Sequence, residues 1–251
     1  MPTFEPQDGQ PGKDVAWVPT PGELVQEMLE LAKITAHDFV IDLGSGDGRI
    51  VIAAAARGAR ALGIEYDPGL VAISRRNAES AGVATRAGFV RADLLETDFS
   101  MATVVTMFLL PRVNMQLRSR ILTMRPGTRV LSNTFHMEEW TADEMIAMRN
   151  YGNWCNALMW IVPARVEGTW KLEQGTLILT QRFQQLTGSM RSSGVVTPIA
   201  SGRVRSDRIT FAAGDVEYIG RVTGNAIEGT LTGGGGVSWR AIRDECPNPS
   251  P

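Results

Sequence analysis

The sequence is poor in the residues that build metal centres and disulfide frameworks. Its 251 residues include two cysteines, Cys155 and Cys246, and two histidines, His37 and His136. Two cysteines this far apart do not indicate a disulfide framework, and the four residues lack the spacing of a metal-ligand cluster. We therefore expect free thiols and no metal ion.

Strong net charge and long apolar runs are also missing. The formal net charge is −2 and the pI is near 5.8, so no positive field attracts nucleic acid or an anionic membrane surface. The first twenty residues contain no apolar segment typical of a signal peptide, and no run reaches the length of a membrane span. The sequence predicts a cytoplasmic protein with no membrane span and no nucleic-acid partner.

The most informative stretch is Val40 to Arg49, a short apolar strand that leads into three glycines and an alanine-rich helix. Gly44, Gly46 and Gly48 let the backbone turn tightly and approach a ligand, and the free amides of the helix start favour an anionic group. A dinucleotide-binding loop requires Gly-x-Gly-x-x-Gly, which would place its third glycine at position 49. Because that position is arginine, the loop indicates a different nucleotide-like ligand.

Three acidic residues lie at the ends of three successive predicted strands. Asp42, Glu65 and Asp93 should meet at one edge of a parallel sheet, where open α/β sheets bind ligands. A carboxylate at position 65 can accept both hydroxyl groups of a ribose. Each acid alone could be a helix cap or a solvated loop residue. Beside the glycine loop, the three together predict one crevice.

Strands and helices alternate along the first part of the chain. Thr20 and Glu23 match a capping box around Pro21 at the start of the first helix. Strands are predicted over 38–43, 60–65, 88–92, 103–110 and 128–133, and helices over 47–57, 68–82 and 112–124. This alternation predicts an α/β fold with a doubly wound, mostly parallel sheet, and residues 157–162 are predicted as one more strand.

From Gly168 the pattern changes to short alternating strands separated by turn residues, which is typical of a small antiparallel meander or barrel. We expect its interior to be filled by its own side chains, leaving little room for a ligand. The expected interior residues are Trp170, Leu177, Leu179, Phe183, Val204, Ile209, Phe211, Tyr218, Val222, Ile227, Leu231 and Trp239. The predicted divisions are an N-terminal arm (1–17), an α/β domain (18–165), an antiparallel β domain (166–245) and a disordered tail (246–251).

The stretch from Asp42 to Gly48 resembles motif I of the class I, seven-β-strand S-adenosylmethionine-dependent methyltransferases. The wider stretch from Val18 to Trp140 resembles a protein-lysine methyltransferase family whose mitochondrial members modify the ATP synthase c subunit or the adenine nucleotide translocase. The likeness includes Val-Pro-Thr-Pro before the first helix, Phe-Leu-Leu-Pro at the end of the fourth strand and Val-Leu-Ser-Asn in the fifth. It does not include the β domain after Gly168. The class I resemblance also implies a late hairpin, placed between residues 144 and 163, that completes a Rossmann-like, doubly wound, mostly parallel seven-stranded sheet.

This resemblance implies S-adenosylmethionine as the cofactor and S-adenosylhomocysteine as its product. It implies cofactor contacts at Thr20, Asp42, Gly44, Ser45, Gly46, Gly48, Glu65, Tyr66, Asp93, Leu94 and Phe108. It implies an acceptor channel lined by Leu109, Leu110, Pro111, Asn133, Phe135 and Trp140. No catalytic base is assigned, because alignment and desolvation of an amine suffice for transfer from an activated sulfonium.

The implied function is methyl transfer to an amino group, a lysine in a protein. Two alternatives stay open: a small-molecule N- or O-methyltransferase with the β domain as a lid, and a non-catalytic cofactor-binding scaffold. The stretch Met107 to Pro111 lacks the Asn/Asp-Pro-Pro-aromatic motif with which many amino-group methyltransferases hold the acceptor. Its absence argues against methylation of a nucleobase.

Overall fold

The computed structural model describes residues 6–13, 15–148, 155–232 and 236–244. The chain divides into two compact units, Met1–Ile161 and Val162–Pro251. Cys246 and the tail predicted from residue 246 lie outside the described residues.

The first unit is built on a seven-stranded sheet with the strand order β3-β2-β1-β4-β5-β7-β6. Its elements are α1 (Gly22–Leu31), β1 (Phe39–Leu43), α2 (Arg49–Ala56), β2 (Arg60–Glu65), α3 (Pro68–Ser80), β3 (Ala87–Arg91), β4 (Val104–Met107), α4 (Pro111–Ile121), β5 (Arg129–Asn133), β6 (Glu144–Ala147) and β7 (Asn156–Ile161). Strands β1 to β5 are parallel, and β7 is antiparallel to both of its neighbours. The Rossmann-like fold with a late hairpin is therefore confirmed.

The core of this unit comes from continuous apolar strands and one-sided helices. All four residues of β4 are buried, as expected for a central strand of a parallel sheet. Helix α1 buries Leu24, Val25, Met28 and Leu29 on one face. Each such side chain contributes about 1.5–3 kcal/mol when it is fully removed from water, so tertiary packing rather than helix propensity holds α1 in place.

The predicted capping box at the start of α1 is wrong. The N-cap position is Pro21, and no side chain caps the helix. Thr20 is buried, and its hydroxyl accepts a hydrogen bond from the Asn133 side chain at 3.3 Å. The Thr20 hydroxyl oxygen therefore accepts a tertiary hydrogen bond, whereas in a capping box it would accept from the backbone amides of the helix.

The fourth strand is shorter than predicted, since β4 ends at Met107 and residues 108–110 form a loop before α4.

The start of α3 follows the sequence pattern. The carboxylate of Asp67 accepts from the backbone amides of Gly69 and Leu70, and Pro68 occupies the first turn. Among the described residues, no helix is long and apolar enough to cross a bilayer.

The second unit is a closed eight-stranded barrel in which every strand is antiparallel to its neighbours. Its strands are β8 (Gly168–Leu172), β9 (Gly175–Arg182), β10 (Gln185–Ser192), β11 (Val195–Arg205), β12 (Arg208–Ala213), β13 (Val216–Thr223), β14 (Ala226–Thr232) and β15 (Ser238–Arg243). Each strand pairs with the next in sequence, and β15 closes the barrel against β8.

The barrel interior matches most of the expected residues. Eight of them are buried in its core: Trp170, Leu177, Leu179, Val204, Ile209, Phe211, Ile227 and Trp239. Leu186, Met190 and Ala241 also belong to this core. Phe183 does not, because it lies in the β9–β10 turn at φ 56°. The expectation of little internal room is wrong at one end of the barrel, where a cavity opens.

Candidate cofactor and acceptor site

The candidate site lies where the strand order of the first sheet reverses. Strand β1 is flanked by β2 on one side and β4 on the other, so the loops after β1 and β4 leave the sheet in different directions. A crevice at such a switch point is where open α/β sheets bind ligands. Asp42 in β1 and Glu65 at the end of β2 lie at this edge, and Asp93 follows β3.

The glycine loop after β1 has positive φ angles, which residues other than glycine adopt only at a cost in energy. Gly44, Gly46 and Gly48 have φ values of 77°, 54° and 83°. A Cβ on Gly46 would lie 2.3 Å from the Nε1 of Trp17, and one on Gly48 would lie 2.7 Å from the Phe89 ring. Gly48 therefore permits packing within the sheet unit, whereas Gly46 permits close approach from the N-terminal arm.

Glu65 holds the glycine loop in place through hydrogen bonds to its carboxylate. Its Oε2 accepts a hydrogen bond from the Gly46 amide at 2.9 Å, and its Oε1 accepts from the Asp67 amide at 2.9 Å. A carboxylate has about four acceptor positions, so roughly two remain for a ligand such as a ribose diol. Glu65 can thus order the loop and bind a ligand at the same time.

Asp42 is a buried carboxyl group beside the same loop. Its Oδ1 accepts a hydrogen bond of 2.6 Å from the Thr106 hydroxyl, and the residue is 3% exposed. Burial raises the pKa of Asp42 to about 7, with Glu65 and Asp47 adding repulsion and Thr106 opposing the shift. A perturbed acid in a crevice is a functional-site signal.

Asp93 is held by the N-terminal arm. Lys13 forms an ion pair with its carboxylate, and the Leu95 amide donates to it at 2.9 Å. The hydrogen bond from Lys13, followed by that from Leu95, lowers the pKa of Asp93. The Lys13 ammonium also lies 5.1 Å from the centre of the Tyr66 ring. Lys13 therefore links the arm to the ends of β2 and β3.

Two cavities flank the glycine loop. The larger, of about 300 Å³, is lined by Gly44, Glu65, Tyr66, Asp93, Leu94 and Leu109 among others. The smaller, of about 30 Å³, is lined by Thr20, Asp42, Gly44, Ser45, Gly46 and Phe108 among others. Every sequence-predicted cofactor residue except Gly48 lines one of the two.

Trp17 lines both cavities, so the arm takes part in the site. The arm folds back on itself at Trp17 through two backbone hydrogen bonds, from the Gly9 amide to the Trp17 carbonyl at 2.8 Å and from the Trp17 amide to the Gln10 carbonyl at 2.9 Å. No sequence pattern indicated that Lys13 or Trp17 would lie at the crevice. An arm rich in proline and glycine has no periodicity from which its path can be predicted.

Arg49 ties the Val-Pro-Thr-Pro turn to the glycine loop. Its guanidinium donates to both carboxylate oxygens of Asp47, at 2.9 Å from Nε and 2.6 Å from Nη2, and to the backbone carbonyl of Thr20 at 2.8 Å. The arginine that breaks the dinucleotide pattern is thus a structural clamp at the cofactor loop. Such a bidentate fork is a geometry that lysine does not reproduce.

The residues predicted for the acceptor channel are dispersed in the structure. Phe108 stacks on Phe135 with ring centroids 6.0 Å apart, and Leu109 is buried beside Gly44. Leu110 is 41% exposed just before α4, and Pro111 opens that helix.

Asn133 and Trp140 are both buried, and neither lines the two cavities. Trp140 packs near Trp160, with ring centroids 6.2 Å apart, and its carbonyl accepts from the Trp160 indole at 2.6 Å. Its position indicates a packing role. Asn133 instead reaches the site through its contact with Thr20.

The loop after β5 is bent sharply and held by α4. Thr134 and Glu138 have positive φ values of 66° and 50°. Asn114, buried on α4, donates to the carbonyls of Phe135 and His136 at 3.3 and 3.5 Å. Sequence reasoning missed Asn114, whose only signal was a polar side chain on the apolar face of a predicted helix.

The donor set of the crevice fits a nucleoside-like cofactor. The Ser45 hydroxyl in the glycine loop is buried and has no hydrogen-bond partner among the described residues. The open acceptor positions of Glu65 offer polar contacts to a ligand, whereas the Ser45 hydroxyl oxygen lies against Gly63 of β2. The described residues contain no group of three His, Cys, Asp or Glu side chains that could hold a metal ion.

Comparison with protein families gives a match of residues 42–144 to the ANTKMT methyltransferase domain. A protein-lysine N-methyltransferase of Saccharolobus islandicus is 42% identical over 139 residues, which are 54% of this chain and 86% of that protein. The lysine N-methyltransferase of the ATP synthase c subunit from Mus musculus is 38% identical over 128 residues, 51% of each chain. The match thus spans about half the length of this mammalian relative.

Comparison with solved structures gives a chain from Salinibacter ruber described as an RNA methyltransferase in complex with S-adenosylhomocysteine. It is 46% identical, with a TM-score of 0.56, and the match covers 59% of this chain and 96% of that one.

Proposed function

The chain belongs to the family of class I S-adenosylmethionine-dependent methyltransferases that carry the ANTKMT methyltransferase domain, and we propose that it methylates a lysine side chain of a protein. The observation that supports this proposal is the aromatic residue that follows β4, Phe108, beside the glycine loop. Phe108 lines the smaller cavity with Asp42 and stacks on Phe135. The archaeal relative, matched over 86% of its length, is named a protein-lysine N-methyltransferase.

S-adenosylmethionine supplies the methyl group as an activated sulfonium. In this proposal the glycine loop and Ser45 border its methionine part, Glu65 binds its ribose, and the Asp93–Leu94 segment borders its adenine. The sites of Tyr66 and Leu109 on the larger cavity agree with that orientation. These assignments rest on placement at the crevice and on the chemistry of each group.

The acceptor must arrive as a neutral amine, because an ammonium has no lone pair. An apolar approach past Phe108, Leu109 and Leu110 would desolvate the ammonium and lower its pKa, so that the proton leaves before transfer. At this edge, Asp42 combines burial with a raised pKa. Asp42 is hydrogen-bonded to Thr106, and we assign it to cofactor binding rather than to proton removal.

The decisive experiment uses cell lysate and S-adenosylmethionine with a labelled methyl group, followed by digestion with protease or with ribonuclease. We expect label in protein, and mass spectrometry should locate it on the Nζ of lysine. The Glu65→Ala variant serves as the inactive control. Label on oxygen or in a small molecule would refute the lysine proposal.

A second candidate, methylation of RNA, is favoured by one observation: the 46% identical Salinibacter ruber structure is described as an RNA methyltransferase. The net charge of −2 opposes it, since RNA binding depends on positive charge along the backbone path. In the same experiment, loss of label with ribonuclease and not with protease would establish the RNA acceptor. The cytoplasmic location expected from the sequence stays a prediction.

A further inference from the structure

The barrel has a cavity of about 620 Å³ at one end. This volume is in the range of small-molecule sites. Leu172, Met190 and Leu231 line it with aliphatic surface, and Tyr218 and Trp239 add two aromatic rings. The rings meet edge to face, with centroids 5.5 Å apart at 81°. We call this cavity the barrel mouth.

The opposite end of the barrel is closed by the chain that leads into it. The Val166 amide donates to the Gln181 side chain at 2.7 Å, and that side chain donates to the carbonyl of Ala164 at 3.0 Å. The Trp170 indole donates to the Val166 carbonyl at 2.8 Å. Ala164 and Val166 are buried in the barrel core. Among the described residues, the other end of the barrel holds the cavity, and an eight-stranded barrel is wide enough to bind one small ligand.

Apolar side chains also surround the open end. Val195, Val216 and Val237 follow three of the turns at that end, and they are 65%, 36% and 54% exposed. Together with the aliphatic part of the cavity lining, these valines form apolar surface that a ligand or partner can cover. The bound group therefore has an apolar body.

The charged residues at the barrel mouth indicate the sign of the charge that a ligand carries at its polar end. The turns at this end carry Glu173 and Asp215 and no basic residue, as the sequence shows. Arg240, which also lines the cavity, forms an ion pair of 3.1 Å with Glu228. Within the described residues, Glu173 forms no ion pair. A ligand with a positive charge is favoured there, and a carboxylate is disfavoured.

We propose that the barrel mouth binds an alkylammonium group, whose chain contacts Leu172, Met190 and Leu231 and whose charged head lies between the aromatic pair and Glu173. Aromatic faces attract ammonium groups, most strongly when the cation is methylated and weakly hydrated. The Trp239 indole is oriented for this role by its hydrogen bond of 3.1 Å to the Ile219 carbonyl. The site stands independently of the acceptor that the methyltransferase unit uses.

The test is a titration of the full chain labelled with [methyl-¹³C]methionine, in which the Met190 signal is assigned from the Met190→Leu spectrum. n-Hexyltrimethylammonium should shift the Met190 signal to saturation. 1-Hexanol and hexanoate should bind at least about tenfold more weakly, as expected when a cation–π contact and an ion pair are lost. An unshifted Met190 signal, or binding of hexanoate as tight as that of the ammonium, would overturn the proposal.

Substitutions test whether Glu173 supplies the negative charge that attracts the ammonium group. Glu173→Gln should weaken binding of the ammonium several-fold and leave hexanol unchanged, whereas the matched variant Glu167→Gln, at the closed end, should bind like wild type. Of these variants, Tyr218→Leu should weaken binding of the ammonium most. If that variant fails to fold, the surface substitution Glu173→Gln still decides, and equal effects of Glu173→Gln and Glu167→Gln would refute the site.

A second titration identifies the source of the ammonium group. An acetylated, amidated peptide with one trimethyl-lysine represents a protein source, and hexyltrimethylammonium represents a free small molecule. Tighter binding of the peptide assigns the ligand to a protein chain, and tighter binding of the free ammonium assigns it to a metabolite; binding of neither overturns the proposal. Because no methyl transfer is measured, failure here is separate from failure of the proposed function.

Discussion

Glu65 is the residue on which both the glycine loop and the crevice depend. Glu65→Ala removes the acceptors of the Gly46 and Asp67 amides as well as the proposed ribose contact. Hydrogen bonds to a charged group contribute about 1.5–3 kcal/mol each, so the Kd for S-adenosylhomocysteine should rise by about 100-fold or more. Calorimetry measures this, with Glu79→Ala on the exposed side of α3 as the control. Wild-type affinity in Glu65→Ala would remove Glu65 from the site.

Gly46 tests whether the arm or the ligand occupies the space above the glycine loop. The structure places Trp17 where a Cβ on Gly46 would be, so Gly46→Ala should weaken cofactor binding partly by displacing that ring. The same substitution should then cost less in a Trp17→Ala background, although the strain of φ 54° stays. Binding constants of the four proteins give the coupling. Equal costs in both backgrounds would mean that the methyl group acts on the ligand directly.

Asp42 makes stability depend on pH in a direction opposite to that of an ion-paired acid. Its folded-state pKa of about 7 lies above the ordinary value of 3.8, so the native state holds a proton that the unfolded state releases over this interval. The free energy of unfolding should therefore fall as pH rises from about 4 to 7, by up to about 4 kcal/mol.

Asp42→Asn keeps the oxygen that accepts from Thr106 and removes the titration. The urea midpoint of wild type should decline relative to that of Asp42→Asn across this range, whereas Glu79→Gln should follow wild type. A difference between wild type and Asp42→Asn that stays constant with pH would show that Asp42 titrates at its ordinary pKa.

At the scale of elements, the sequence predicts the order of strands and helices because the responsible signals are local. Apolar runs, the Asp67-Pro68 cap and glycine turns lie within a few residues of the element that they define. The capping role predicted for Thr20 is wrong for the converse reason, since its hydrogen-bond partner Asn133 is distant in sequence. The path of the N-terminal arm and the position of Trp140 also depend on tertiary packing, so local sequence signals do not predict them.

Helix α4 positions the loop that follows β5, and this support is separable from cofactor binding. Asn114→Ala would remove two hydrogen bonds to the carbonyls of residues 135 and 136, freeing the loop that carries Phe135. We expect kcat to fall about tenfold while the Kd for S-adenosylhomocysteine stays near wild type, as for a loss of about 1.4 kcal/mol of alignment. Gln116→Ala, exposed on the same helix, is the control. A weaker Kd with unchanged kcat would contradict this assignment.

At the scale of the whole molecule, the two units have separate cores. The sheet unit packs residues from α1, α2 and α3 against its strands, and the barrel encloses its own aromatic cluster. The archaeal relative aligns with 54% of this chain, which leaves nearly half of the chain unmatched. Cofactor binding and the role of the barrel should therefore separate by truncation.

A chain that ends after Ile161 should bind S-adenosylhomocysteine like the full chain, because Glu65, Asp93 and the glycine loop lie in the first unit. It should lose most of its activity on the protein acceptor if the barrel docks that acceptor. Calorimetry and methylation of lysate proteins measure the two properties, and a thermal melt of the truncated chain controls for folding. Full methylation by the truncated chain would refute the docking role. Loss of cofactor binding would show instead that the sheet unit requires the barrel to fold.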